Sequence, residues 1–114
     1  MKLIFQMEKQ PVLEKTILLF ILSIVESLKL KVVSLDESHR YIFNLEVLEL
    51  LMDRNIDDQV LELIHFGMGL EDIYHVLPEE LEHSIEELKW LCIQVLSEYS
   101  MHDDECAQLI EDIR

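Results

Sequence analysis

Leu81, Ile85, Leu88, Cys92, Val95, Leu96 and Tyr99 recur at spacings of three and four, the strongest periodic signal in the chain. That period belongs to one buried face of an α-helix, because 100° per residue returns every third or fourth side chain to the same side. Pro78 suits the first turn of such a helix, so the spacing predicts a long amphipathic helix over about residues 78–99. A chain with this signal and only two glycines and two prolines in 114 residues has few places to turn sharply and no tract that reads as a flexible linker. The expected fold class is therefore all-α: one compact multi-helix bundle, 1–114, with no internal repeat.

The remaining elements follow from start and stop signals. Pro11 opens a run from Val12 to Leu30 that is apolar nearly all round, which predicts a central hydrophobic helix over about 11–31. Its uncharged stretch, Thr16 to Val25, spans about 15 Å as a helix against roughly 30 Å of bilayer hydrocarbon, so it reads as core and not as a membrane span. Ser34 before Asp36 and Glu37 is an N-cap with acids in the first turn, and its helix is expected to carry Tyr41, Ile42 and Phe43 inward. Asn44 looks like the start of a short helix over 45–53, and Asp57 and Asp58 of another running to about Phe66. Gly67 and Gly69 are expected to end it by supplying a left-handed residue, with one or two further turns over 70–76. Residues 1–9 read as an extended lead-in, and 101–114 as an acidic tail that docks as a last short helix or frays.

Composition decides between function classes. Twenty-four acids against nine bases give a net charge of −15. Phosphates are repelled at every approach, so neither nucleic acid nor an anionic membrane is an expected partner, and a basic protein is. The charge is uneven: residues 71–114 hold 13 acids and two bases, residues 1–70 hold 11 acids and seven bases. Two cysteines, one of them inside the apolar helical run, do not make a disulfide framework, and with no signal-peptide core they fit a reduced, cytoplasmic setting.

Catalytic constellations are weak. Glu62-x-x-His65 and Glu80-x-x-His83 have the spacing by which di-iron bundles hold metal, but both pairs fall opposite the apolar faces set by Val60/Ile64 and Ile85/Leu88, where they would be solvated. Cys92 sits on the core stripe. Cys106, beside Asp103, Asp104 and Glu105, has its thiolate disfavoured by charge. Gly67-Met-Gly69 follows a helix and precedes two acids, which is no phosphate loop. No catalytic residue, metal site or cofactor is expected.

The feature with binding character is Trp90, the one tryptophan, about 180° from the centre of the apolar face. Glu86 and Glu87 flank it, His83 and Gln94 share its side, and Glu79 lies at the start of the same helix. Exposed, such a group is a hot spot for a basic partner: the ring supplies area to desolvate and the acids supply steering. Covered by the C-terminal tail or the first helix, it is a satellite core residue. A second candidate surface is the face of the first helix that carries Leu19, Leu22 and Glu26, where exposed leucines would support a homodimer.

The segments Ser34-Leu35-Asp36-Glu37-Ser38 before Tyr41-Ile42-Phe43, and Glu62-Leu63-Ile64-His65-Phe66-Gly67 leading into Gly69-Leu70-Glu71-Asp72-Ile73, resemble a family of short uncharacterised proteins from Bacillus-type bacteria. The resemblance covers about residues 10–98. It implies a bacterial cytosolic protein and brings no catalytic residues with it. The expected function is that of an acidic, non-catalytic binding domain that neutralises a basic protein, such as a nuclease toxin or a DNA-binding protein, in the manner of an immunity protein or antitoxin. The alternative is a homodimeric adaptor bundle whose acidity only maintains solubility.

Overall fold

The computed structural model describes residues 10–99; the lead-in of 1–9 and the tail of 101–114, with Cys106, lie outside the described residues. Among those described, the chain forms six α-helices and one 3₁₀ turn and no strand, which is the expected all-α bundle. The helices are α1 (Gln10–Lys29), α2 (Leu35–Tyr41), α3 (Leu45–Asp53), α4 (Asp58–Met68), α5 (Leu70–Val76) and α6 (Leu81–Ser97), with the 3₁₀ turn (Pro78–Glu80) leading into α6. None of the described helices is long and apolar enough to cross a membrane.

Helices α1 and α6 form the spine. They run antiparallel, as the cross-contacts show: Glu14 meets Tyr99, Leu18 meets Cys92, and Lys29 meets Glu86. Leu18, Ile21 and Val25 of α1 and Leu88 and Cys92 of α6 are fully buried in one core. Each such aliphatic side chain contributes about 1.5–3 kcal/mol through removal from water. The periodic stripe of α6 faces this core as expected: Ile85, Leu88, Cys92, Val95 and Tyr99 are buried, with Leu81 and Leu96 half-buried at its edges. Cys92 donates its thiol to Leu18 O at 3.4 Å, and burial pushes its pKa up to about 11, so it is a core residue and a poor nucleophile. Helix α1 is not buried all round, however, since Leu19 and Ser23 face solvent.

The short helices start where their caps place them. Ser34 and Glu37 form a reciprocal capping box at α2, Asn44 Oδ1 accepts from Val47 N–H at α3, and Asp57 Oδ1 accepts from Gln59 N–H at α4. Two helix ends use the Schellman arrangement with a non-glycine left-handed residue. Lys31 (φ 61°) follows α1, with Val32 N–H returning to Ser27 O, and Asn55 (φ 58°) follows α3, with Ile56 N–H returning to Leu51 O. The first of these ends α1 two residues before the expected Lys31.

Three local expectations are corrected. Tyr41 is 52% exposed while Ile42 and Phe43 are buried, because α2 stops at Tyr41 and the Ile42 and Phe43 N–H groups both turn back onto Ser38 O. Three consecutive residues cannot share one helical face. The long helix begins at Leu81, Pro78 having opened a 3₁₀ turn instead of the α-helix itself. Neither Gly67 nor Gly69 has positive φ. Gly67 lies inside α4 beneath the ring of the fully buried Phe43, and a Cβ there would run into that ring. The glycine answers a packing need, not a backbone one.

The other end of the spine holds a polar knot with no counterpart in the sequence reading. Glu14 is 7% exposed, and its carboxylate accepts hydrogen bonds from Tyr99 Oη–H (2.8 Å) and from Asp57 N–H (2.7 Å). Gln10 Nε2 stands 3.4 Å from the same carboxylate and also donates to Arg54 O and Asn55 O, 3.2 Å each. One side chain thus ties α1, the start of α4 and the end of α6 together. Burial, and then the facing Glu14 carboxylate, push the Tyr99 phenol well above its ordinary value.

Candidate partner-binding face

Helix α6 packs against α1 and α4 and carries Trp90 on the side turned away from α1. The indole is 57% exposed and donates from Nε1 to Glu86 Oε1 at 3.1 Å, one helical turn earlier. His83, Glu86, Glu87, Trp90, Leu91 and Gln94 surround a shallow depression of about 310 Å³. Four of the five residues expected beside Trp90 are therefore brought together with it. Glu79 is not: it lies in the 3₁₀ turn and lines a separate cleft of about 910 Å³ between the end of α1, the loop to α2 and the start of α6. The non-α turn at Pro78 takes Glu79 off the register that an unbroken helix would have given it.

The carboxylates at Trp90 are not all free to meet a partner. Glu86 is held by Lys29 Nζ at 2.7 Å from α1. That ammonium, with the indole N–H, keeps the Glu86 carboxyl below the usual carboxylate range, and Glu86 in turn raises the lysine. Lys89 Nζ stands 5.4 Å from the Trp90 ring centroid and faces Glu26 Oε1 at 3.1 Å, as an ion pair without hydrogen-bond alignment. The ring thus already carries a cation at its face, and Glu87 is the exposed carboxylate beside it. Lys29 and Lys89 could not be read as partners of this face from the sequence, because their pairing depends on how α1 and α6 cross.

A second depression adjoins the first. It lies between α4 and α6, holds about 280 Å³, and is lined by Gln59, Glu62, Leu63 and Phe66 of α4, by Leu91, Gln94 and Val95 of α6, and by Glu98, the residue that caps its end. Leu91 and Gln94 belong to both depressions, so the two form one continuous face. Leu91 and Glu98 were not singled out from the sequence, and neither was Glu62 as part of a binding face. Glu62 was weighed only as a metal ligand.

Glu62, His65, Glu80 and His83 are exposed, on the solvent faces that the helical spacing gives them. The proposed dimer face on α1 does not form one apolar patch. Leu19 is 52% exposed, but Leu22 packs against the core and Glu26 is engaged by Lys89. Side chains three positions apart on a helix diverge by about 60°, enough here to put one leucine outside and one inside.

No curated protein and no solved structure matches the chain. A family model does, over residues 8–111, which takes in every described helix. The chain belongs to DUF3969, a family of proteins of unknown function.

Proposed function

We propose that this protein is an acidic, non-catalytic binding domain that captures and neutralises a basic protein through the face centred on Trp90, in the manner of an immunity protein or antitoxin. The cytosol of Bacillus-type bacteria, as the sequence resemblance implies, is its proposed setting. One observation carries the reading: a tryptophan more than half exposed, lining a depression whose other described residues include Glu86 and Glu87 and neither lysine nor arginine. Leaving an indole in water on a stable helix gains nothing for the fold, whereas desolvating it against a partner is worth several kcal/mol at a typical hot spot. An incoming arginine can replace Lys89 over the ring and bridge to Glu87. The net charge of −15 steers such a partner from a distance.

The test is capture of partners on the immobilised full chain, followed by reconstitution with the purified partner. A single strongly basic protein is expected, bound by the wild type and released at least tenfold more readily by Trp90→Ala and by Glu87→Lys. Its association should slow at least about tenfold between low and high ionic strength. Glu87 is the residue to reverse, because reversing Glu86 would also break its pair with Lys29. Binding that ignores salt, or that persists in both variants, would sink the proposal.

A further inference from the structure

The two joined depressions have the dimensions of a missing helix. Along α6 the face runs from His83 to Glu98, about 22 Å at 1.5 Å per residue. Glu87, Leu91, Gln94 and Glu98 are all exposed and recur at spacings of four, three and four, the seam by which one helix receives another. Across the groove, Gln59, Leu63 and Phe66 of α4 repeat the same rhythm. The lining is apolar at the buried Leu63 and Val95, the half-buried Phe66 and the exposed Leu91, and Trp90, about 100° round α6 from Leu91, stands on the side away from α4. The rim holds four carboxylates, Glu62, Glu86, Glu87 and Glu98, and among the described residues the lining contains no lysine or arginine. An open groove of this form between two packed helices selects for shape, and its rim selects for charge.

We propose that the occupant is a single amphipathic α-helix of about four turns from the basic partner, laid along α6 between Trp90 and α4. Its apolar stripe faces Leu63, Leu91 and Val95, and its flanks carry arginine or lysine. This rests on the reading of the Trp90 face as a basic-protein site and adds what that reading leaves open, the form of the bound segment. Glu87 and Glu98 lie three turns apart and only about 20° from one face of α6, so the partner presents two cations about eleven residues apart along one flank. Glu62 meets a third from the α4 side. A helix of this length has an end-to-end span that matches the groove, whereas an extended segment crossing the same 22 Å has only about six or seven residues and alternates its side chains off the floor.

Trp90 is the sole tryptophan, so its emission reports on the site in the intact chain. Three tryptophan-free peptides of about sixteen residues decide the matter. The first carries leucines at helical spacing with arginines on both flanks; the second has the same composition shuffled to destroy the period; the third replaces every arginine of the first by glutamate. The first is expected to shift Trp90 emission and to bind at least tenfold more tightly than the second, with the third silent. Leu91→Asp, checked for an unchanged circular dichroism spectrum, should abolish the shift. Equal binding by the periodic and shuffled peptides overturns the helix inference while leaving the basic-partner reading in place. Equal binding by the arginine and glutamate peptides overturns both. If no peptide binds and acrylamide cannot reach Trp90 in the free chain, the groove is closed by a second copy or by the chain's own ends, which sedimentation separates, and the inference falls.

Discussion

Two glutamates at opposite ends of the α1/α6 spine are treated differently by the fold, and their difference separates a buried framework from an exposed cluster. Glu14 is buried and accepts from neutral donors: a phenol, a backbone N–H and an amide. Glu86 is about 39% exposed and is met by an ammonium and an indole N–H that also face solvent. A buried carboxylate loses its water on folding and must keep every donor it has, because nothing can substitute for them. A half-exposed ion pair exchanges partners with water and with other cations at little cost. The knot at Glu14 is therefore costly to take apart and the cluster at Trp90 is not, although both are made from the same residue type on the same pair of helices.

Mutation of the framework end should have the largest effect on stability. Glu14→Ala strands the Tyr99 hydroxyl and the Asp57 N–H, and leaves the first turn of α4 untied from α1. A loss of about 2–4 kcal/mol is expected in urea unfolding. Glu14→Gln keeps an acceptor oxygen and should lose less. If Glu14→Ala unfolds at the wild-type urea concentration, the knot is not framework and the contrast with Glu86 collapses. Gly67→Ala comes next, at about 1–3 kcal/mol, because the added methyl must displace the Phe43 ring from a core with no room for it. A smaller loss would mean that α4 and the α2–α3 corner can slide apart.

The same end sets the response to alkali. Burial raises the Cys92 thiol to about 11, and burial with Glu14 raises the Tyr99 phenol. A raised folded pKa favours the protonated fold, so this stability is fully present below the unfolded values, near pH 9 to 10, and is lost as pH rises from there toward the folded ones. The urea midpoint should hold through neutrality and decline above about pH 9. Tyr99→Phe should cost about 1–2 kcal/mol at pH 7, since Glu14 loses a donor, and should flatten the alkaline decline. A decline as steep as that of the wild type would assign the alkaline loss to other groups.

The sequence made most of the framework legible where the determinants are local. Ser34, Asn44 and Asp57 cap the helices they precede, and the three-four spacing of Ile85, Leu88 and Cys92 marks the buried face of α6. Trp90 was placed off that face by the same arithmetic. What escaped was non-local. Glu14 sits in the first turns of a helix, where an acid is ordinarily solvated, and its partners lie 43 and 85 positions away. Gly67 looked like a helix terminator because the Phe43 ring that demands it comes from another helix. Lys29 and Lys89 were two of nine bases until the α1/α6 crossing brought them to Glu86 and Glu26. The groove beside Trp90 needs α4 as its second wall, and no period within α6 announces a wall supplied by another helix.

The smallest expected effect is the most informative about the other end. Trp90→Ala removes the largest side chain on α6, yet its indole is mostly in water and its hydrogen bond reaches only one turn along the same helix. Its stability cost should stay within about 0.5 kcal/mol, as for surface positions away from the core. An aromatic residue that contributes so little to folding while shedding partner affinity at least tenfold would show that the α6 face is kept for binding and not for the bundle. A cost of several kcal/mol in urea would instead place the indole under cover, and would join Trp90 to Glu14 as part of the framework.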